Sequence, residues 1–337
     1  MTYLEKFLAQ EVVMKRNFII SVTLVLTVAF IMAGSTTTFG QYPTKSIRFI
    51  VPFPPGGPTD VLGRVIGKKL SEQIGQSVLV DNRPGAGGIL GYEVTAESPA
   101  DGYTIVMGAN MLAFAPHLFA NKNPIQHLAP ISRTASMPNI LIVNPSFPAK
   151  TLKELVQLAR ANPGKYNFGS GGVGTSNHLG SALLISTEKL NMVHVPFKGA
   201  SRAMVALMGG GQIDMVVIGV PTAIPQIKAG KVRALAILSD EREPAIPDVP
   251  TAADAGFPYL KVYTWFGILT RAGTPKNIVD RLSAEIAKVL ADPAVKKRLI
   301  GIGFKPMSTT PEQFSDFIKA ESERWGKVIK EAGIKRK

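Results

Sequence analysis

Few side chains in this sequence could carry out covalent chemistry. It contains no cysteine, which excludes thiolate nucleophiles, disulfides and sulfur-bound metals. Its four histidines, His117, His127, His178 and His194, form no pair at metal-ligand spacing, so neither a metal nor a cofactor is expected. No G-x-S-x-G elbow supports a serine hydrolase. Asp60 could act as a general base, yet at the second position of a helix, after Thr59, a carboxylate also steadies the positive helix end. His178 stands at another helix start, where it could hydrogen-bond a ligand or simply cap. What remains is non-covalent chemistry, and it would occur at glycine-rich turns.

Four such turns share one context, the junction from a strand pattern to a helix pattern. They are Pro54 to Asp60 (PPGGPTD), Arg83 to Gly88 (RPGAGG), Gly169 to Ser176 (GSGGVGTS) and Pro196 to Ser201 (PFKGAS). In a parallel α/β sheet these junctions lie along the carboxyl ends of the strands, where ligands bind. Glycine lets bare backbone approach a ligand, and the unpaired N–H groups of the next helix favour an anion. Any one of these turns could need glycine for packing alone. Four together, in a chain poor in catalytic groups, point to an anion-binding cleft. The third turn matches GxGxxG, but a dinucleotide site needs an acid at the end of the next strand, and Glu188 falls inside or at the end of the preceding helix. A phosphate loop is excluded as well, because Thr175-Ser176 arrives without the required lysine.

The elements that position these turns alternate. Strand patterns cover Ile47–Val51, Ser77–Val80, Thr104–Met107, Ile140–Val143, Tyr166–Phe168, Met192–Val195, Met215–Ile218, Arg233–Ile237 and Thr264–Leu269. Helical stripes join Val61, Leu62, Val65, Ile66, Leu70 and Ile74, then Leu152 to Ala161, then Phe314, Phe317, Ile318, Trp325 and Ile329. Thr151 with Glu154 reads as a capping box, as does Thr310-Pro311 with Gln313. This alternation predicts α/β layers around parallel sheets. Breaks near Val143 to Pro148 and near Gly256 to Gly267 suggest two chain crossings between lobes. The expected division is a lobe of residues 41–143 plus 265–337, a second lobe of residues 144–264, and a hinge on which Trp265 packs.

Residues 1–40 are set apart. A basic Met14-Lys15-Arg16-Asn17, an apolar run from Phe18 to Ala33 and the small residues Gly34 to Gly40 have the layout of a cleaved secretory signal, with cleavage expected before Gln41. The apolar run is shorter than the roughly 20 residues of a membrane span. Without disulfides, the exported chain must be held by core burial, and 45% hydrophobic residues against 18% charged permit that. The net charge of +14 attracts anions, but the positive residues are scattered apart from Lys335-Arg336-Lys337. No basic stripe with interleaved aromatics supports nucleic-acid binding.

Nine motifs in order, VPFPPGGPTD, VDNRPGAGG, SPADGYT, PGKYNFGSGGVGTSNHL, VPFKG, GQIDM, IKAGKVRALAI, IPDVPTAADAGFP and WFGI, run from Val51 to Ile268. Together they resemble the substrate-binding proteins of tripartite tricarboxylate transporters, the Bug family. The resemblance implies a two-lobed, type II-like periplasmic-binding-protein (Venus flytrap) fold, each lobe a sheet flanked by helices, with no catalysis. It implies a periplasmic receptor that captures a small carboxylate and passes it to membrane permease subunits; a monomer is expected.

By the same resemblance, one carboxylate meets Pro55, Gly56, Gly57 and Thr59. The other end meets the loop Gly171, Gly172, Val173, Gly174, Thr175 and Ser176, and the turn Lys198, Gly199, Ala200 and Ser201. Asn110 lies where family members line the cleft, and Asp60 and His178 complete the candidate set. Two positions depart from the family pattern. His127 stands where aspartate is usual, and Ile218-Gly219-Val220 is apolar where a polar residue is frequent. The second departure, expected at a strand end facing the cleft, favours a carboxylate with an uncharged or apolar body over an amino acid. An extracytoplasmic sensor feeding a membrane kinase would use the same ligand-driven closure. An exported enzyme acting on an anion would need the nucleophile–base pair that is missing here.

Overall fold

The apolar run Ile47–Val51 becomes β1, and with β2 (Val78–Asn82) and β3 (Thr104–Ala109) it forms three parallel strands. The helices α1 (Pro58–Ile74), α2 (Ile89–Ala96) and α3 (Met111–Leu118) follow them in turn. This is a computed structural model describing Met14, residues 42–119 and residues 124–334. The expected signal segment, Met14 apart, and the tail Lys335 to Lys337 lie outside the described residues. Next come β4 (Leu128–Val143) and α4 (Leu152–Ala161). A second parallel set follows, β5 (Asn167–Ser170), β6 (Val193–Pro196) and β7 (Met215–Gly219), each leading into a helix: α5 (Ser176–Thr187), α6 (Ala200–Gly209) and α7 (Val220–Lys228). The chain ends with β8 (Arg233–Ile237), β9 (Tyr263–Arg271), α8 (Lys276–Ala291), α9 (Pro293–Gly301), β10 (Lys305–Pro306) and α10 (Pro311–Glu331).

The strands lie in the order β2-β1-β3-β9-β4-β7-β5-β6, with β8 and β10 also pairing with β4. β4 is antiparallel to β9 from Leu128 to Pro138, then antiparallel to β7 from Asn139 to Val143. Its partner therefore changes between Pro138 and Asn139, inside the strand. Residue 143, after which the lobe division is expected, is the last residue of β4. The register has a geometric consequence. Ala109, closing β3, lies opposite Phe266, which lies opposite Ala135, while Gly219, closing β7, lies opposite Asn139. The two parallel sets thus run towards each other, and their carboxyl ends meet at the middle of β4.

One apolar cluster holds both sets. It includes Leu112 and Phe114 of α3, Leu179 and Leu184 of α5, and Phe314, Trp325 and Ile329 of α10. The stripe read from the sequence is therefore the face by which α10 packs on both α3 and α5. Trp265 is 1% exposed, edge-on to Phe314 and Phe317 at 5.8 and 5.3 Å, and donates its indole N–H to Glu321 at 3.2 Å. A second cluster joins β7, α6 and α7 through Ile218, Met204, Leu207 and Val220. Thr310 and Gln313 form the expected capping box. Thr151 caps α4 through the Glu154 N–H, but the Glu154 carboxylate accepts from Lys150, one residue short of a full box. Among the described residues no helix is long and apolar enough to cross a membrane.

Close packing makes Gly267 of β9 irreplaceable, since a Cβ there would sit 2.1 Å from the Phe314 ring. Gly267→Ala should destabilise the protein by about 1–3 kcal/mol through overpacking. Gly301→Ala, whose Cβ would meet nothing within 4 Å, should be neutral or stabilising. Urea unfolding of both variants checks this, and equal midpoints would overturn it.

Candidate functional site

The turn after β1 is built around Asp60. Gly57 is the N-cap of α1, no side chain caps the helix, and Pro58 opens it. Asp60 is then the third helical residue, not the second. Its Oδ2 accepts from the Gly56 N–H at 3.0 Å and from Arg64 Nε at 2.9 Å, and its Oδ1 accepts from the Asn82 amide at 2.9 Å. Asn82 also donates to the Phe53 carbonyl at 3.0 Å. Burial opposes the charge on Asp60, which is 3% exposed. The bonds from Arg64, Gly56 and Asn82 outweigh that penalty and hold its carboxyl below the usual range. Asp60 thus shapes the turn, and the Gly56 N–H is committed to it. The N–H groups of Thr59 and Asp60, in the first turn, have no intrahelical acceptor. Pro55 and Gly56 are exposed and Gly57 is half-buried.

In the turn after β5 the glycines answer to packing. A Cβ on Gly171 would lie 2.9 Å from the Ala200 nitrogen, and one on Gly174 would lie 2.4 Å from Leu118 Cδ1. Gly174 therefore brings this turn against α3, on the other set of strands. Several N–H groups are used internally. Gly172 donates to Ser170 Oγ at 3.1 Å, Gly174 to His178 Nδ1 at 3.2 Å, and Thr175 to the Gly172 carbonyl at 3.3 Å. Thr175 caps α5 through the His178 N–H at 3.4 Å. Val173, Thr175 and Ser176 stay half-buried. The neighbouring turn before α6 is tied to this one by the Gly199 N–H, which donates to the Gly171 carbonyl at 3.2 Å. Gly199 is an N-cap without a side-chain cap, Ala200 is half-buried, and Lys198 and Ser201 are exposed.

His178 belongs to a buried stack. Its ring lies 4.0 Å from that of His194, which lies 4.8 Å from Phe168, all nearly parallel. His194 Nε2 is 2.7 Å from Ser170 Oγ. Burial and the neighbouring His194 push the His178 pKa down to about 3, and burial pushes that of His194 down to about 4. Both rings are neutral supports behind the turn.

Asn110 is 3% exposed, and both ends of its amide hold β9: Nδ2 donates to the Tyr263 carbonyl at 3.0 Å, and Oδ1 accepts from the Trp265 N–H at 3.1 Å. Ile218 and Val220 are buried in the core rather than facing a cleft, so their apolar character follows from packing. Glu188 receives Arg160 and Tyr259 at the end of α5, which agrees with the exclusion of a dinucleotide site. The buried polar residues Asn139 and Thr264, at the junction of β4 and β9, gave no sequence signal. Among the described residues no group of His, Asp and Glu could hold a metal ion.

Unfolded histidine titrates near 6.5, well above these folded values. As pH falls below about 6.5 the unfolded chain takes up protons that the folded chain refuses until about 4, so stability should fall across that window. Urea midpoints between about pH 7 and 4 should decline less steeply for His194→Gln than for the unaltered protein. Equal slopes would count against the neutral stack.

The chain matches the Tripartite tricarboxylate transporter family receptor over residues 62–334. A UPF0065 protein from the tcbD-tcbE intergenic region of Pseudomonas sp. is 40% identical over 311 residues, covering 90% of this chain and 92% of that protein. An R. palustris structure with adipate has a TM-score of 0.81 at 32% identity, covering 87% of this chain and 99% of that one. MatC from Rhodopseudomonas palustris with bound malate gives 0.76 at 30% identity, covering 86% and 100%. This chain belongs to the tripartite tricarboxylate transporter receptor family, and its α/β architecture, a sheet flanked by helices, matches that of the periplasmic binding protein BugD.

Proposed function

We propose that this protein captures a small dicarboxylate where the two sets of strand ends face each other, and delivers it to a membrane permease. The observation that carries the reading is the start of two helices at those ends without a side-chain cap. Of the helices that open at the facing ends, α5 is capped by the Thr175 side chain. α1 and α6, which open at those ends, begin at Gly57 and Gly199 without any side-chain cap. An uncapped helix start presents unpaired N–H groups and a positive dipole end, and a carboxylate satisfies both. One carboxylate is assigned to the turn of Pro55, Gly56, Gly57, Thr59 and Asp60, with Asp60 as its support. The other is assigned to Ser176, with Lys198 to Ser201 and the loop Gly171 to Thr175, and His178 supports that loop from behind.

The adipate and malate bound to related proteins support a linear diacid. The reading includes a periplasmic location after signal cleavage and turnover-free binding. Isothermal titration calorimetry against succinate, malate, glutarate, adipate, aspartate and glutamate tests it. At least one plain dicarboxylate should bind more tightly than either amino acid, and at about 100 times its dissociation constant should add roughly 2.7 kcal/mol of stability. Absence of binding by every acid, or tighter binding of the amino acids, would overturn the ligand assignment. Unchanged dicarboxylate uptake in a strain lacking the gene would overturn the delivery role.

A further inference from the structure

We propose that Thr264 is a positioning residue that sets Ser176 in place and aims its hydroxyl proton into the cleft. The inference rests on the carboxylate-binding reading for its ligand arm and on geometry alone for the rest. Asn110, at the end of β3, grips β9 at Tyr263 and at Trp265, through bonds of 3.0 and 3.1 Å. The residue between them is Thr264, so its place along the strand is fixed from the first set of strands. Its hydroxyl reaches the second set. Thr264 Oγ1 lies 3.0 Å from Ser176 Oγ, at the first position of α5, and 3.3 Å from both Nδ2 and Oδ1 of Asn139. Asn139 is itself anchored where β4 changes partner: its N–H donates to the Val262 carbonyl at 3.0 Å, and its carbonyl accepts from Leu238 at 2.8 Å. Asn110, Asn139 and Thr264 are 3%, 0% and 9% exposed. Buried polar groups of this kind persist only when satisfied: Asn110 is satisfied by the backbone of β9, and Asn139 and Thr264 satisfy each other in a chain that ends at Ser176.

The direction of that chain matters. A hydroxyl has one proton to donate and lone pairs to accept with. If the Asn139 amide donates to Thr264, then Thr264 donates to Ser176, and the Ser176 proton is left over for an acceptor in the cleft. A carboxylate, which only accepts, selects this direction. The reverse direction would leave Ser176 offering lone pairs, which suits a donor ligand. The relay therefore presents Ser176 to an anion at a distance set by β9, the strand that Asn110 grips.

Thr264→Val keeps the shape and removes the relay, and Thr264→Ser keeps the hydroxyl. In the ligand-free protein, amide hydrogen exchange across residues 172–178 should rise about tenfold in Thr264→Val and stay within about twofold in Thr264→Ser, a tenfold change being about 1.4 kcal/mol. For the tightest-binding diacid of the calorimetric panel, Thr264→Val should raise Kd about tenfold, and Ser176→Ala should add little further loss on top of it. Unchanged exchange in Thr264→Val, or additive effects of the two substitutions, would overturn the proposal. If no acid binds even the unaltered protein, the carboxylate reading fails, while the exchange experiment still decides the relay. Should Thr264→Val not fold, Ser176→Ala breaks the same link, and the same rise in exchange is expected of it.

Discussion

Buried backbone N–H and C=O groups must be paired, and β4 meets that requirement while serving two sets of strands at once. It does so by changing partner within its length instead of ending, at Pro138 and Asn139. The consequence reaches every other element. Because β9 is antiparallel to both β3 and β4, while β7 is antiparallel to β4 alone, the carboxyl ends of the two parallel sets are forced to face each other. The placement of ligands at strand carboxyl ends, general to parallel α/β sheets, then applies from both sides of one line. The cleft is a product of strand direction before any side chain is considered.

The apolar packing reinforces this geometry. α10 lies against α3 from the first set and α5 from the second, with Trp325 edge-on to Phe114 at 5.5 Å. A shared core of this kind holds α3 and α5 against one helix near the line where the ends meet. The neighbourhood of Gly174 and Leu118 shows how close the approach is, since even a methyl group on Gly174 would collide with Leu118.

Much of this was legible in the residues. Ile47–Val51, Leu152–Ala161 and Arg233–Ile237 occupy the ranges that their patterns predict, because each alternates or runs apolar between clear stop signals. The strand that matters most was only partly visible. Ile140–Val143 reads as apolar, but Leu128 to Asn139 carries Pro130, Arg133 and Pro138 among serine and threonine, a composition that tertiary pairing with β9 overrides. The glycines of the turns were read as invitations to a ligand. For Gly171 and Gly174 the reason is neighbouring backbone and side chains, which no local pattern encodes. Thr264 and Asn139 were invisible for the same reason: residues 125 positions apart meet only in the fold.

What the site lacks in charged groups is informative about how it can discriminate. Asp60 is neutralised by Arg64 and two further donors, the two stacked histidines are uncharged near neutral pH, and Lys198 is exposed to solvent. In the proposed reading, fixed dipoles at helix starts and one oriented hydroxyl carry recognition. Such groups read the presence of a carboxylate at each end and the separation between the two ends. They carry little information about an uncharged body in between. Selectivity in this arrangement is a matter of length, set by how far the ladders of β4 and β9 allow the two turns to approach, and that distance is held by backbone pairing rather than by any binding side chain.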